Sequence, residues 1–333
     1  MPLPNDSLNF GTPLHLVQGN IVPNELFFLR SNYPPPAIEP AAWQLRIDGL
    51  VRRPAHVGLA DVQRLPTHKQ VCWLECAGNS RASFRPAAEG NQWQHHAVSN
   101  AEFTGVSLRD VLELAGGLAP GARELVVSGA DHDRFQRALP VDVALHPDVM
   151  LVWAMNGEAI PWPNGGPVRL LVPRWGGVAS VKWPKRMEAI ADAFAGYYHK
   201  ERYVIFDEAG LPRQPVREMP VKSVIAAPEP GAQVARDRTV RVFGFAWSGY
   251  GAITGVQVSA DGGATWFNAR LIHEGGRNAW TRWEYDWTPT AAGATTLQAQ
   301  AQDDQGNVQP LQARWNPFGY QMNGVEQVPI AVV

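Results

Sequence analysis

The chain of 333 residues is long enough for two domains, each with its own hydrophobic core. Its formal net charge of -2 and the lack of any Lys/Arg run exclude nucleic-acid binding driven by phosphate neutralisation. A composition of 45% hydrophobic and 18% charged residues is typical of a globular protein, and the absence of an apolar run of about 18 residues excludes a transmembrane helix.

The opening residues, MPLPNDSLNF, contain neither the basic segment nor the apolar segment of a signal peptide. We therefore expect a cytoplasmic protein, or a periplasmic one if a leader has been removed. Two cysteines are too few for a disulfide framework and leave the redox compartment open.

The first two-thirds of the chain carry signals for both strands and helices. WQLRIDGLV alternates apolar and polar residues, which predicts a half-buried strand. SLRDVLELAGG predicts a short helix that begins after Ser107 as N-cap and ends near Gly116. VMLVWAMNGEAI predicts a hairpin that turns at Asn156-Gly157, and ELVVSGAD and PVRLLVP predict buried strands.

The composition changes near residue 220, after the proline-rich segment LPRQPVREMP. Helix signals stop there, and strands are predicted for RTVRVFGFAW, ITGVQVSADGGATWFNARLI, WTRWEYDW and TTLQAQAQ. Roughly seven short strands in about 110 residues indicate an immunoglobulin-like β-sandwich. The predicted fold class is α+β, with a mixed α/β domain at residues 1–219 followed by an all-β sandwich at residues 220–333.

Both cysteines, Cys72 and Cys76, lie in the segment VCWLECAGNSR. Residue type alone favours two buried free thiols, a disulfide would close only a very short loop, and zinc lacks a second pair of ligands. Cys76 differs from Cys72 because a glycine turn follows it and Arg81 is close enough in sequence to stabilise a thiolate. Such a residue suits a nucleophile or a soft-metal ligand, and the local sequence leaves both open.

Six segments, in chain order, resemble the sulfite oxidase family of molybdenum enzymes: NELFFLRSNYPPP, WLECAGNSR, GNQW, GADHD, WAMNG with GGPVRLLVP, and SVKW. The C-terminal segments FGFAWSG and VSADGGATW are similar to the family's dimerisation domain. The resemblance implies a molybdenum-molybdopterin cofactor, a homodimer and an oxidoreductase. Because the chain has no Cys-x-x-Cys-His haem motif, electrons would pass to an external acceptor, either a cytochrome or a separate subunit.

The resemblance also implies the roles of individual residues. Cys76 would be the protein ligand to molybdenum, with Cys72 a core residue, and a soft thiolate beside a cation suits that task. Arg30 and Arg81 match positions that bind a sulfur oxyanion, and Trp93 matches an aromatic wall. The positions that match the family's cofactor contacts are Phe28, Leu29, Arg30, Ser31, Asn32, Cys76, Asp131, Asn164, Arg169, Ser180, Val181 and Lys182.

The sequence departs from the family pattern at three positions. We interpret Trp153 as the replacement of the family's active-site tyrosine, which removes a phenol that could titrate or accept a hydrogen bond. Asn164 replaces a histidine and Ala179 an arginine. The leading hypothesis is oxidation of sulfite or a related sulfur oxyanion. The Trp153 replacement motivates S-oxide reduction as an alternative, and a non-catalytic β-sandwich binding protein is the rival from another class.

Overall fold

Most of the chain forms short β-strands joined by tight turns. The computed structural model describes residues 8–206, 210–272 and 276–333. The first seven residues, on which part of the expectation about targeting rests, lie outside this range. The α-helices of the described residues are α1 (Leu59–Val62), α2 (Leu108–Glu113), α3 (Val141–Ala144) and α4 (Tyr197–Lys200). No helix in these ranges is long and apolar enough to cross a lipid bilayer.

The N-terminal part is built around two five-stranded sheets. One has the order β10-β9-β6-β5 with β11 beside β9, and the other has the order β4-β3-β12-β7-β8. The strands of this part are β1 (Asn9–Phe10), β2 (Leu29–Arg30), β3 (Gln44–Gly49), β4 (Ala55–Gly58), β5 (Thr67–Glu75), β6 (Val98–Ser107), β7 (Glu124–Gly129), β8 (Gln136–Pro140), β9 (Met150–Met155), β10 (Glu158–Ala159), β11 (Arg169–Leu171), β12 (Pro184–Ile190), β13 (Val204–Phe206) and β14 (Pro212–Pro215).

Apolar side chains of both sheets meet in one hydrophobic core. Leu45 and Ile47 of β3 are fully buried in it, as the alternation of WQLRIDGLV predicts, and Leu151 and Leu170 reach it from the other sheet. The predicted hairpin is also confirmed, since β9 and β10 pair and Asn156 and Gly157 adopt φ angles of 55° and 82°. Positive φ suits Asn and Gly, so the turn chemistry of the sequence fixes this register.

Ser107 caps α2 as the sequence predicts. Its side chain accepts a hydrogen bond from the backbone N–H of Asp110, and Leu108, Val111 and Leu112 are buried on one face. The helix ends at Glu113, and Gly116 adopts φ +74° in the turn that follows.

Ser107→Ala is expected to destabilise the protein by about 1 kcal/mol, because the Asp110 N–H loses its acceptor in a partly buried setting. Chemical denaturation of the full chain measures this loss. Ser107→Thr keeps the cap and serves as the control. Equal losses in both variants would show that packing, and not the cap, causes the effect.

The C-terminal part contains only β-structure among its described residues. Its two sheets have the orders β15-β17-β21-β20 and β16-β23-β22-β18-β19, and they enclose a core that includes Leu297, Ala299 and Ala301. This confirms the α+β class with a second, all-β part. The strands are β15 (Lys222–Ala227), β16 (Gln233–Val234), β17 (Val240–Trp247), β18 (Ile253–Ser259), β19 (Phe267–Asn268), β20 (Arg270–Ile272), β21 (Thr281–Trp287), β22 (Gly293–Asp303) and β23 (Val328–Val332).

The two parts share a continuous aromatic core. The ring of Trp73, on β5, lies 6.2 Å from the ring of Trp247, and Phe245 stacks on Trp280 at 4.1 Å. All four side chains are at most 1% exposed. The C-terminal part is therefore packed directly against β5, the strand that leads to Cys76. The domain boundary near residue 219 stays a prediction.

Candidate active site

A cavity of about 680 Å³, part of which is open to solvent, lies at the C-terminal end of β5, beside β2 and β11. Eleven of the twelve residues that the resemblance assigns to the cofactor line it. The lining residues are Phe27, Phe28, Leu29, Arg30, Ser31, Asn32, Leu74, Cys76, Ala77, Asp131, Phe135, Asn164, Arg169, Gly177, Val178, Ser180, Lys182 and Tyr203.

The two cysteines have different surroundings. Cys76 follows the last residue of β5, is 8% exposed and lines the cavity. Cys72, inside β5, is fully buried, and burial raises the pKa of its thiol far above the usual range. Both thiols are free, which excludes a disulfide between them. Cys76 is therefore the cysteine that can reach a ligand in the cavity.

Backbone hydrogen bonds hold the turn that presents Cys76. The N–H of Cys76 donates to the carbonyl of Ala97 at 2.9 Å, and its carbonyl accepts from the N–H of Asn79 at 2.9 Å. A side chain at Gly177 would meet the backbone oxygen of Glu75 at 3.0 Å, so the facing loop approaches this turn closely. The thiol is thus carried by backbone that is fixed on both sides.

A buried cation, Arg169, and a half-buried one, Lys182, line the cavity wall. Arg169 begins β11 and forms an isolated β-bridge with Lys182. Burial lowers the pKa of the Arg169 guanidinium to about 10 and holds the pKa of the Lys182 ammonium well below its usual range. Within the described part of the chain, neither cation has a carboxylate partner within 4 Å. Lys182 donates instead to Ser31 Oγ at 2.6 Å and to the Pro163 carbonyl at 2.9 Å.

Two polar atoms of the wall have no hydrogen-bond partner among the described residues. They are Nε of Arg169 and Oδ1 of Asp131. Burial raises the pKa of the Asp131 carboxyl. Buried polar atoms almost always have partners, so a donor and an acceptor left over in one cavity wall indicate a polar ligand. Its chemistry would include an anionic group for the cations and N–H groups for Asp131.

The segment 28–32 forms another part of the cavity wall, in contact with Lys182. The Arg30 guanidinium donates to Asn32 Oδ1 at 2.7 Å and also to the Ser31 carbonyl. The backbone N–H of Phe28 donates to Ser99 Oγ at 2.9 Å, which ties the segment to β6. Arg30 therefore presents a cation at the cavity whose position is set by its own neighbours.

Four residues assigned from the sequence do not line this cavity. Arg81 is 6% exposed and donates to the carbonyls of Phe318 at 2.7 Å and Asn91 at 2.8 Å. Trp93 is 2% exposed and packs in the core. Val181 is 1% exposed and packs in the hydrophobic core between the two sheets. The fourth residue is Trp153.

Trp153 lines a different cavity, together with Ile38, Trp162 and Pro167. On β9, its neighbour Val152 is the residue paired with Arg169, so Trp153 lies on the other face of the strand. The structure therefore does not bring Trp153 to Cys76.

The sequence analysis missed Tyr203, which supplies a phenol to the cavity. Its hydroxyl lies 3.2 Å from Asn32 Nδ2, and its ring stacks on Tyr320 with centroids 5.1 Å apart. The cavity therefore contains a phenol, contributed by a segment later in the chain than Trp153. The segment KERYVIF has no periodicity or motif that marks this tyrosine, so only the tertiary structure identifies it.

Comparisons with known families define the class of protein. Residues 32–198 match the model of an oxidoreductase molybdopterin-binding domain, and residues 213–332 match that of a Mo-co oxidoreductase dimerisation domain. This is the architecture of a molybdopterin-dependent oxidoreductase. The chain belongs to the sulfite oxidase family.

Individual relatives agree with this assignment. The chain is 36% identical to sulfite oxidase of Gallus gallus, over 91% of this chain and 72% of that protein. It is 32% identical to mitochondrial sulfite oxidase of Mus musculus, over 96% of this chain but only 63% of the relative's length. The crystal structure of the sulfane dehydrogenase SoxCD from Paracoccus pantotrophus superposes with a TM-score of 0.88 at 32% identity, covering 95% of this chain and 82% of that one.

The cavity fits the molybdenum cofactor of this family. Arg169 and Lys182 match its anionic phosphate, and the unpartnered Asp131 oxygen matches an N–H of the pterin. No cluster of three or more His, Cys, Asp or Glu side chains able to hold a metal exists in the described ranges. A single cysteine ligand would be sufficient here, because the dithiolene of the pterin would supply further sulfur ligands.

Proposed function

We propose that this chain oxidises sulfite, or a closely related small sulfur oxyanion, and passes the electrons to an external acceptor. The observation that carries the proposal is that Cys76, a free thiol, lines the same cavity as Arg169 and Lys182, two cations without carboxylate partners among the described residues. In the reaction sulfite gains one oxygen atom from water, with release of two protons and two electrons. Molybdenum held by Cys76 and molybdopterin would supply the oxygen transfer and accept the electron pair.

The chain's own residues bind and orient. Arg169 and Lys182 hold the anionic end of the pterin, and Asp131 accepts its hydrogen bonds. Arg30, fixed by Asn32, attracts and orients the oxyanion, and the Tyr203 hydroxyl is placed to donate a hydrogen bond to an oxygen in the same space. Arg81 supports the backbone that follows Cys76 from outside the cavity, since its guanidinium donates to the carbonyls of Phe318 and Asn91.

The alternatives lose their support. S-oxide reduction rested on the loss of a phenol, and Tyr203 provides one. A non-catalytic sandwich protein would not need unpaired cations around a reachable thiol in its other domain. The dimerisation-domain match supports a homodimer. We infer that the acceptor is a cytochrome or a separate subunit, and that the sandwich begins near residue 220.

Sulfite is expected to drive reduction of ferricyanide or of a c-type cytochrome by the molybdenum-loaded protein, with saturation kinetics. Arg30→Met should raise the KM for sulfite at least about tenfold, since a charge-assisted contact contributes roughly 1.5–3 kcal/mol. Arg64→Met, at an exposed site, is the control. Stopped assays with sulfite and with dimethyl sulfoxide distinguish the directions. No sulfite-dependent reduction, or sulfoxide-dependent oxidation of a reduced dye, would refute the proposal.

A further inference from the structure

The turn that carries Cys76 is held in part by the C-terminal part of the chain. We define the cysteine turn as residues 75–81. Its contacts with residues beyond 220 are Glu75 with Lys222 and Trp247, the Ala77 carbonyl with the Gln321 N–H, the Asn79 carbonyl with Lys222, the Ser80 hydroxyl with Glu326, and Arg81 with the Phe318 carbonyl and the Tyr320 ring. Cys76 therefore lies on a segment whose neighbours on both sides are bound to the second domain.

The central contact is a buried ion pair. Lys222 Nζ lies 3.2 Å from Glu75 Oε1, and both side chains are 1% exposed. Trp247 Nε1 donates to the other Glu75 oxygen at 2.8 Å. Asn79 Nδ2 donates to Oε1 at 2.9 Å, which links the carboxylate to the far side of the turn. Glu75 thus connects the residue before Cys76, the turn after it, and two side chains of the sandwich.

A buried ion pair is an inefficient way to stabilise a fold. Removing two charges from water costs about as much as their attraction returns, and apolar residues of similar size often stabilise as well or better. What an ion pair with two further hydrogen bonds provides is a unique geometry, since each oxygen of Glu75 has a fixed donor. This geometry is imposed on Glu75, the residue directly before Cys76. The direction of the Cys76 thiol decides whether a ligand in the cavity can reach it.

We propose that Glu75 and Lys222 are positioning residues, through which the C-terminal domain sets the orientation of the Cys76 thiol in the cavity. The sandwich then has a role in the active site in addition to dimerisation. The inference rests on the proposed function, because it matters to catalysis only if Cys76 is the metal ligand. The orientation of the thiol itself is measurable without that assumption.

The test uses full-length protein with Lys222→Met, Glu75→Gln and the double variant. Cys76 is the reachable thiol and Cys72 is fully buried, so alkylation by iodoacetamide of folded, cofactor-free chain reports on Cys76 alone. Each single variant leaves one buried charge unpaired and should be clearly less stable than the parent. The double variant should regain most of that stability, because no unpaired charge remains.

The decisive result is expected from the double variant. This variant should have near-parental stability, but its Cys76 should be alkylated at a rate that differs from that of the parent at least about fivefold. Its molybdenum-loaded form should show a shifted Mo(V) electron paramagnetic resonance spectrum and a lower kcat. Lys69→Met removes an exposed ion pair of the same β5–β6 hairpin and should change none of these readouts. Parental alkylation rate and spectrum in a stable double variant would overturn the proposal. Altered alkylation in a protein that binds no molybdenum would instead refute the proposed function.

Discussion

Cys76→Ser is expected to abolish sulfite-dependent turnover in an otherwise folded chain. The thiol is the side chain in the cavity suited to a soft metal, and a serine hydroxyl is a hard, protonated oxygen at neutral pH. The dithiolene of the pterin would still hold molybdenum, so the variant should keep the metal while its Mo(V) electron paramagnetic resonance spectrum changes. Ferricyanide reduction with sulfite, the spectrum, and elemental analysis of protein from a molybdenum-replete host measure these outcomes.

Cys72→Ala is the matched control for this experiment. Cys72 lies on the same strand, four positions earlier, is fully buried and does not line the cavity. The variant loses a small apolar contact and should be destabilised by about 1 kcal/mol while retaining the parental turnover and spectrum. A parental spectrum in molybdenum-loaded Cys76→Ser would contradict the assignment of the metal ligand.

Arg169→Met is expected to lower the pterin content of the purified protein at least about tenfold. The guanidinium is a buried cation with an unpartnered Nε at the cavity wall, and a charge-assisted hydrogen bond to a phosphate contributes roughly 1.5–3 kcal/mol. The stability of the cofactor-free chain should change by less than about 1 kcal/mol. Relief of the buried charge offsets the loss of the bonds to the Asn164 and Ser180 carbonyls.

Fluorescence of the released and oxidised pterin measures the content, and denaturation of the cofactor-free chain measures the stability. Arg64→Met serves again as the exposed control, because its side chain is 74% exposed and pairs with Asp61, three residues earlier. A large loss of stability with unchanged pterin content would show that Arg169 supports the fold and does not bind the cofactor.

Local patterns in the sequence were sufficient to predict several elements. The alternation of β3, the serine cap of α2 and the Asn-Gly turn between β9 and β10 depend on interactions between residues close in the chain. The all-β character of the second part follows from the same period-two pattern repeated in segment after segment. The cofactor contacts were predicted by resemblance, because they occur in short ordered motifs, and eleven of them line one cavity.

The tertiary structure alone decided the place of the residues that lack such motifs. Tyr203 reaches the cavity from a segment without periodicity, and Trp153 is turned away from it by the alternation of β9 relative to Arg169. The link from Lys222 and Trp247 to Glu75 depends on how two domains dock, which no local pattern encodes.

Sequence by itself therefore determined the order of the elements, the suitability of Cys76 as a soft-metal ligand, and, by resemblance, the class of its cofactor. Which side chains face the thiol, and which hold its turn from behind, was decided by long-range packing. The physical reason is that a strand's period specifies two faces but does not say which of them meets a given partner until the sheets and domains assemble.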